Sequence, residues 1–183
     1  MTGSNSAKED LIKFGIPKSK IKVVNHGVRV YEPTLRPPKE KKKTVIYLGP
    51  LTRDKGIESA IQVFFNLLKK DPDYQFWIVG KGGGEYFEFI KKLVRKIGIT
   101  KAVKFWGFVT NQKKFELLYR AHVLIHPSIR EGWGLNVIES SYVGTPVVGF
   151  DVPGLKDSIR QGVNGYLVSY GNVSAMAQTV ERV

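Results

Sequence analysis

From residue 44 onward the apolar positions of this chain alternate between two rhythms. Short apolar runs at 44–48, 75–79, 103–106, 123–125, 146–148 and 166–168 read as buried strands. Between them, apolar residues return every three or four positions. Ile57, Ala60, Ile61, Phe64 and Leu68 predict a helix over 57–70, and Phe89, Ile90, Leu93, Val94 and Ile97 predict one over 86–97. Further helices are expected over 115–121, 135–143, 155–160 and 173–182. Strands alternating with helices of this size define βαβ units and a mainly parallel sheet. The expected fold is therefore α/β, a Rossmann-like three-layer sandwich.

Residues 1–40 have a different texture and read as a connector before a domain spanning 41–183. A short helix fits 7–14, stopped by Gly15 and Pro17. Residues 20–24 alternate like a strand, punctuated by Asn25-His26-Gly27. Residues 36–43 are polar and hold Pro37 and Pro38. The chain ends as its last helix is completed, so a piece of a longer protein is expected.

Composition changes this picture in three places. At 183 residues one α/β domain is the default. The absence of cysteine excludes disulfides and thiolate metal sites. The net charge of +13 calls for an anionic partner or a reason to have none. Lys39, Lys41, Lys42 and Lys43 form the one dense basic run, which reads as a solvated linker. Aromatics do not interleave with it, so a nucleic-acid platform is poorly supported.

Three stretches carry chemistry. Gly49-Pro50-Leu51-Thr52-Arg53-Asp54-Lys55-Gly56 joins a strand to a helix and places two cations beside a helix N-terminus, where anions bind. It lacks the Gly-Lys-Ser/Thr ending of a nucleotide-triphosphate loop. Glu131-Gly132-Trp133-Gly134-Leu135-Asn136-Val137-Ile138-Glu139 follows the strand ending in His126-Pro127-Ser128. Its glycines bare the backbone amides of a helix start. Glu139 shares a helical face with Leu135 and points coreward, where a carboxylate needs hydroxyl or N–H partners. Gly154 to Gly165 ends in Asn164-Gly165, a turn signal. Read without context, the first stretch is equally well a basic turn, and the third reads as a plain turn.

Together with Gly144-Thr145-Pro146-Val147-Val148 and Asn164-Gly165-Tyr166-Leu167-Val168, these stretches resemble the C-terminal domain of family 4 glycosyltransferases of GT-B fold. Residues 21–28 resemble the segment joining that family's two domains. The resemblance implies a retaining, metal-independent transferase of polysaccharide biosynthesis, needing no cofactor beyond its nucleoside-diphosphate sugar. It implies that Arg53 and Lys55 hold the diphosphate and that Glu131 binds the transferred sugar. It further implies that Gly49, Gly132, Trp133, Gly134 and Leu135 line the donor site, that Glu139 takes the ribose, and that the base lies near Gly80 and Val109. The acceptor site and a histidine near the sugar belong to an N-terminal domain that this chain lacks. His26, His122 and His126 do not match that histidine. The chain is therefore expected not to transfer sugar alone. Its expected partners are the donor sugar and that N-terminal domain, with peripheral contact to an anionic membrane, no nucleic acid, and a cytoplasmic location.

Two other readings compete. Gly80-Lys81-Gly82-Gly83-Gly84 lacks the Gly-x-Gly-x-x-Gly spacing of a dinucleotide domain. A basic nucleic-acid- or phosphate-binding module would show a steep salt dependence with RNA or DNA.

Overall fold

The computed structural model describes all residues, 1–183. Its centre is a six-stranded, wholly parallel sheet of order β3-β2-β1-β4-β5-β6. The strands are β1 (Lys43–Leu48), β2 (Tyr74–Val79), β3 (Val103–Gly107), β4 (Val123–His126), β5 (Val147–Phe150) and β6 (Gly165–Val168). Central β1, β4 and β5 are buried along nearly their whole length, whereas edge strand β3 is half-buried. That difference explains why the inner strands read as unbroken apolar runs.

The helices are α1 (Asn5–Lys13), α2 (Ile57–Lys70), α3 (Gly84–Lys96), α4 (Asn111–Arg120), α5 (Leu135–Tyr142), α6 (Leu155–Ser158) and α7 (Val173–Arg182). Helix α2 packs against β1, β2 and α7, and α4 packs against α5. The parallel connections imply right-handed crossovers that cover both faces of the sheet. Ile57, Ile61, Phe64 and Leu67 of α2 are fully buried, as its period predicts.

Several expectations are corrected. Helix α4 begins at Asn111 rather than 115, because Thr110 caps it by accepting from Lys113 N–H at 3.3 Å. Helix α6 is a single turn ending at Ser158. Residues 20–24 are not a strand. Lys18–Lys20 forms a 3-10 turn, and Val23 makes one isolated parallel bridge to Thr2. A lone strand with no apolar sheet neighbour has nothing to pair with, so the alternation there misleads.

The basic run is not simply solvated. The Lys39 ammonium donates to Ala121 O at 2.5 Å and Thr145 Oγ1 at 2.7 Å, although the residue as a whole is exposed. Burial of that ammonium lowers its pKa. Lys43 opens β1 and pairs with Asp71 at 2.6 Å.

The first forty residues are likewise fastened to the domain. Ser6 N–H donates to Asp157 Oδ2 at 2.8 Å, Gly154 N–H donates to Ser6 Oγ at 3.2 Å, and Asp10 pairs with Arg130. Helix α1 therefore lies across the carboxyl-end rim of the sheet.

Candidate functional site

The strand order reverses between β1 and β4, and the loops leaving those two strands diverge there. Open α/β sheets place ligands at such a switch point. A cleft of about 410 Å³ occupies it, lined by Gly49 and Lys55 after β1 and by His126, Glu131 and Trp133 after β4. The third wall is α5, contributing Gly134, Leu135 and Asn136.

Hydrogen bonds between loops hold this rim. Ile129 N–H donates to Asp54 O at 2.9 Å, and Glu131 N–H donates to Pro153 O at 3.1 Å. Asn136 Nδ2 donates to Leu48 O at 2.8 Å, tying α5 to the end of β1. The buried Tyr47 hydroxyl donates to Pro50 O at 2.8 Å, beneath the Gly49–Lys55 loop. Burial raises the Tyr47 pKa well above the ordinary tyrosine range, so this hydroxyl stays a donor. Tyr47→Phe is expected to cost about 1–2 kcal/mol, because Pro50 O loses its donor. Urea unfolding of the variant checks this, and an unchanged midpoint would refute it.

The cleft floor is a trio of an ion pair and a neutral imidazole. Lys55 Nζ donates to Glu131 Oε1 at 2.9 Å, and His126 Nε2 lies 4.0 Å from the same oxygen. Their side chains are 26%, 16% and 5% exposed, so the pair is partly desolvated and the imidazole is buried. Burial is the main cause that pushes His126 down to about 4, opposed by Glu131 and assisted by Lys55. The imidazole is therefore neutral at neutral pH, and Ser128 Oγ sits 3.2 Å from its Nδ1.

The start of α5 completes the polarity. Its N-cap is Gly134, in a left-handed conformation, and no side chain caps the helix or adds an acid to its first turn. Its leading amides remain available to an anion beside Lys55. Trp133 Nε1 is buried without an acceptor.

The structure divides the residues singled out from the sequence. Gly49, Lys55, Glu131, Gly132, Trp133, Gly134 and Leu135 meet in one cleft. Arg53 is not brought there. Its side chain is 80% exposed, 4.0 Å from Glu58, with the guanidinium over the Tyr86 ring. It lines a neighbouring groove with Phe89 and Tyr170. Glu139 is buried and paired with Lys114, but not for the reason its spacing suggested. Leu135, on the same helical face, is exposed into the cleft.

Gly80 and Val109 lie outside the cleft lining. Gly80 is pressed against Gly49, where a Cβ would meet Gly49 O at 1.7 Å, and Val109 packs against the core. His122 is structural, its Nδ1 accepting from Thr44 N–H at 3.0 Å. No group of three His, Cys, Asp or Glu side chains is placed to hold a metal ion. No helix is long and apolar enough to cross a membrane.

Sequence reasoning missed Gly3, Ala7 and His26, which form a wall of the cleft. The Asn25-His26-Gly27 punctuation was the available signal, but only tertiary docking of α1 brings it to the site.

This parallel α/β domain, with a cleft and a bare helix N-terminus at its switch point, matches the Rossmann-like fold of GT-B glycosyltransferases. The chain belongs to the family described as glycosyl transferases group 1, whose model matches residues 35–183. It is 30% identical over 197 residues to an uncharacterised glycosyltransferase of Methanocaldococcus jannaschii, covering 100% of this chain and 50% of that protein. It is 30% identical over 146 residues to the 2-deoxystreptamine glucosyltransferase of Streptomyces kanamyceticus, covering 80% of this chain and 37% of that enzyme. Among solved structures, S. aureus TarM, in a variant complexed with fondaparinux, α-GlcNAc-glycerol and UDP, aligns at TM-score 0.85 and 25% identity. That alignment covers 99% of this chain and 36% of TarM. The chain thus spans half or less of the length of these proteins.

Proposed function

We propose that this chain is the donor-binding half of a retaining glycosyltransferase. The whole protein moves a hexose from a nucleoside-diphosphate sugar to a glycan or lipid-linked acceptor. The observation that carries the reading is the Lys55–Glu131 pair, set at 2.9 Å beside the uncapped start of α5. The UDP in the TarM complex and the glucosyltransferase relative support it.

In this reading the diphosphate lies over the α5 amides and Lys55. As the bond from sugar C1 to the phosphate oxygen breaks, negative charge grows on the leaving phosphate. Lys55 and the helix dipole meet that charge as it develops, without a metal ion. Glu131, steadied by Lys55, accepts from hydroxyls of the transferred sugar. Gly132, Gly134 and Leu135 present backbone to sugar and phosphate. Arg53 supplies a second cation by swinging its free side chain from Glu58. Glu139 takes the ribose, and the base lies toward Gly80 and Val109. Turnover needs the remainder of the protein, and peripheral contact with an anionic membrane belongs to the same proposal.

Calorimetric titration of UDP, GDP and ADP in the absence of Mg²⁺ tests this. One nucleotide is expected to bind preferentially. Lys55→Met should weaken it about tenfold or more, the scale of one charge-assisted hydrogen bond. Arg53→Ala should weaken it less, because that side chain is turned away. Failure of all three nucleotides to bind would overturn the reading.

A further inference from the structure

The two oxygens of Glu139 have unequal surroundings. The side chain is 10% exposed on the second turn of α5. Oε1 accepts from Lys114 Nζ at 2.5 Å. Oε2 is buried and has no hydrogen-bond partner. Such a buried acceptor is uncommon and costly, because it has given up water and gained nothing. Oε2 therefore lacks a donor that this chain by itself does not supply.

Lys114 stands in the first turn of α4, directly after the Phe108–Val109 loop, and its N–H donates to Thr110 O at 2.9 Å. Its side chain is 21% exposed. The nearby acid Glu116 is already held by Lys113 and Arg120, each at 2.8 Å, and Glu139 is the acceptor that the Lys114 ammonium reaches. The ion pair thus bridges two elements. One follows the loop assigned above to the base, and the other begins at the amides assigned to the diphosphate. In a nucleotide, the ribose is what lies between base and phosphate.

We infer that Lys114 is a positioning residue of the nucleotide site: it pins Glu139 by Oε1 and so presents Oε2 as the acceptor for a ribose hydroxyl. The inference rests on the donor-site reading. The ligand group must be a hydrogen-bond donor, which a hydroxyl is and a phosphate oxygen is not. A carboxylate with one oxygen pinned also discriminates sharply, because a ligand lacking the hydroxyl leaves Oε2 orphaned.

The test titrates the chain with its preferred nucleoside diphosphate and with the 2′-deoxy and 3′-deoxy forms of it. Lys114→Met is expected to weaken the ribonucleotide about tenfold, while changing one of the deoxy forms by less than about twofold. Lys114→Arg should restore most of the loss. Equal weakening of all three ligands would show a general effect of charge and overturn the inference, as would unchanged binding. Lys114→Met strands the Glu139 carboxylate and could unfold the chain. The double variant Lys114→Met/Glu139→Gln removes both charges, and it too should lose the preference for ribose over deoxyribose. Retained preference in that variant would overturn the inference. Failure of the unaltered chain to bind any nucleoside diphosphate would instead overturn the donor-site reading, and this inference with it.

Discussion

Gly154→Ala is expected to destabilise the chain by about 3 kcal/mol or more and to abolish nucleotide binding. Gly154 has φ +84° and ψ −47°, and a Cβ there would meet Glu131 O at 2.1 Å and Glu131 Cβ at 3.1 Å. A side chain in this conformation costs about 1–2 kcal/mol by itself. Overpacking adds about 1–3 kcal/mol, because the obstacle is backbone and cannot rotate away. The displaced segment is the one that positions Glu131, through Glu131 N–H to Pro153 O. Relief of the clash therefore moves the carboxylate out of the cleft. Gly132→Ala is the control for stability alone, since a Cβ at Gly132 meets nothing within 4 Å. Urea unfolding together with nucleotide titration reads both effects. Equal stability of the two variants would refute the argument.

Acid is expected to weaken the fold through His126. Burial holds its folded pKa near 4, below the unfolded value of 6.5. Between those values the unfolded chain binds the proton and the folded chain does not. The contribution is therefore complete above pH 6.5 and is lost as pH falls toward 4. Its size is up to about 3 kcal/mol. Carboxylates also titrate at the lower end of this window, so the comparison is with His126→Asn. That variant should be less stable at pH 7 through lost packing, yet its stability should fall more gently from pH 6.5 to 4. Parallel curves for the two proteins would show that His126 does not set the slope. Because Nε2 lies 4.0 Å from Glu131 Oε1, protonation would also bring a cation to the carboxylate that Lys55 already holds. Donor binding should decline over the same window.

Much of the architecture was legible in the order of residues. The inner strands were marked by apolar runs, because a strand buried on both faces needs apolar residues with little interruption, and the half-buried edge strands β3 and β6 by weaker ones. Helix α2 was legible because its apolar spacing covers nearly four turns. Helix α4 was read four residues short, since its first turn, Asn111-Gln112-Lys113-Lys114, is polar and is defined by a cap instead. The false strand at 20–24 shows the opposite failure, a local pattern with no sheet to join.

The sequence by itself determined the fold class, the family and the loops that carry chemistry. Local spacing governs strand and helix periods, and the glycines and charges of 49–56 and 131–139 are contiguous in the chain. Only the tertiary structure decided which of those groups meet. Lys55 and Glu131 are 76 residues apart in sequence, yet they are joined at 2.9 Å by the switch between β1 and β4. Arg53, two residues from Lys55, faces another groove. The Lys114 partner of Glu139 and the docking of α1 across the rim were likewise invisible. Contacts between distant segments depend on sheet order and helix packing, and no local period records them.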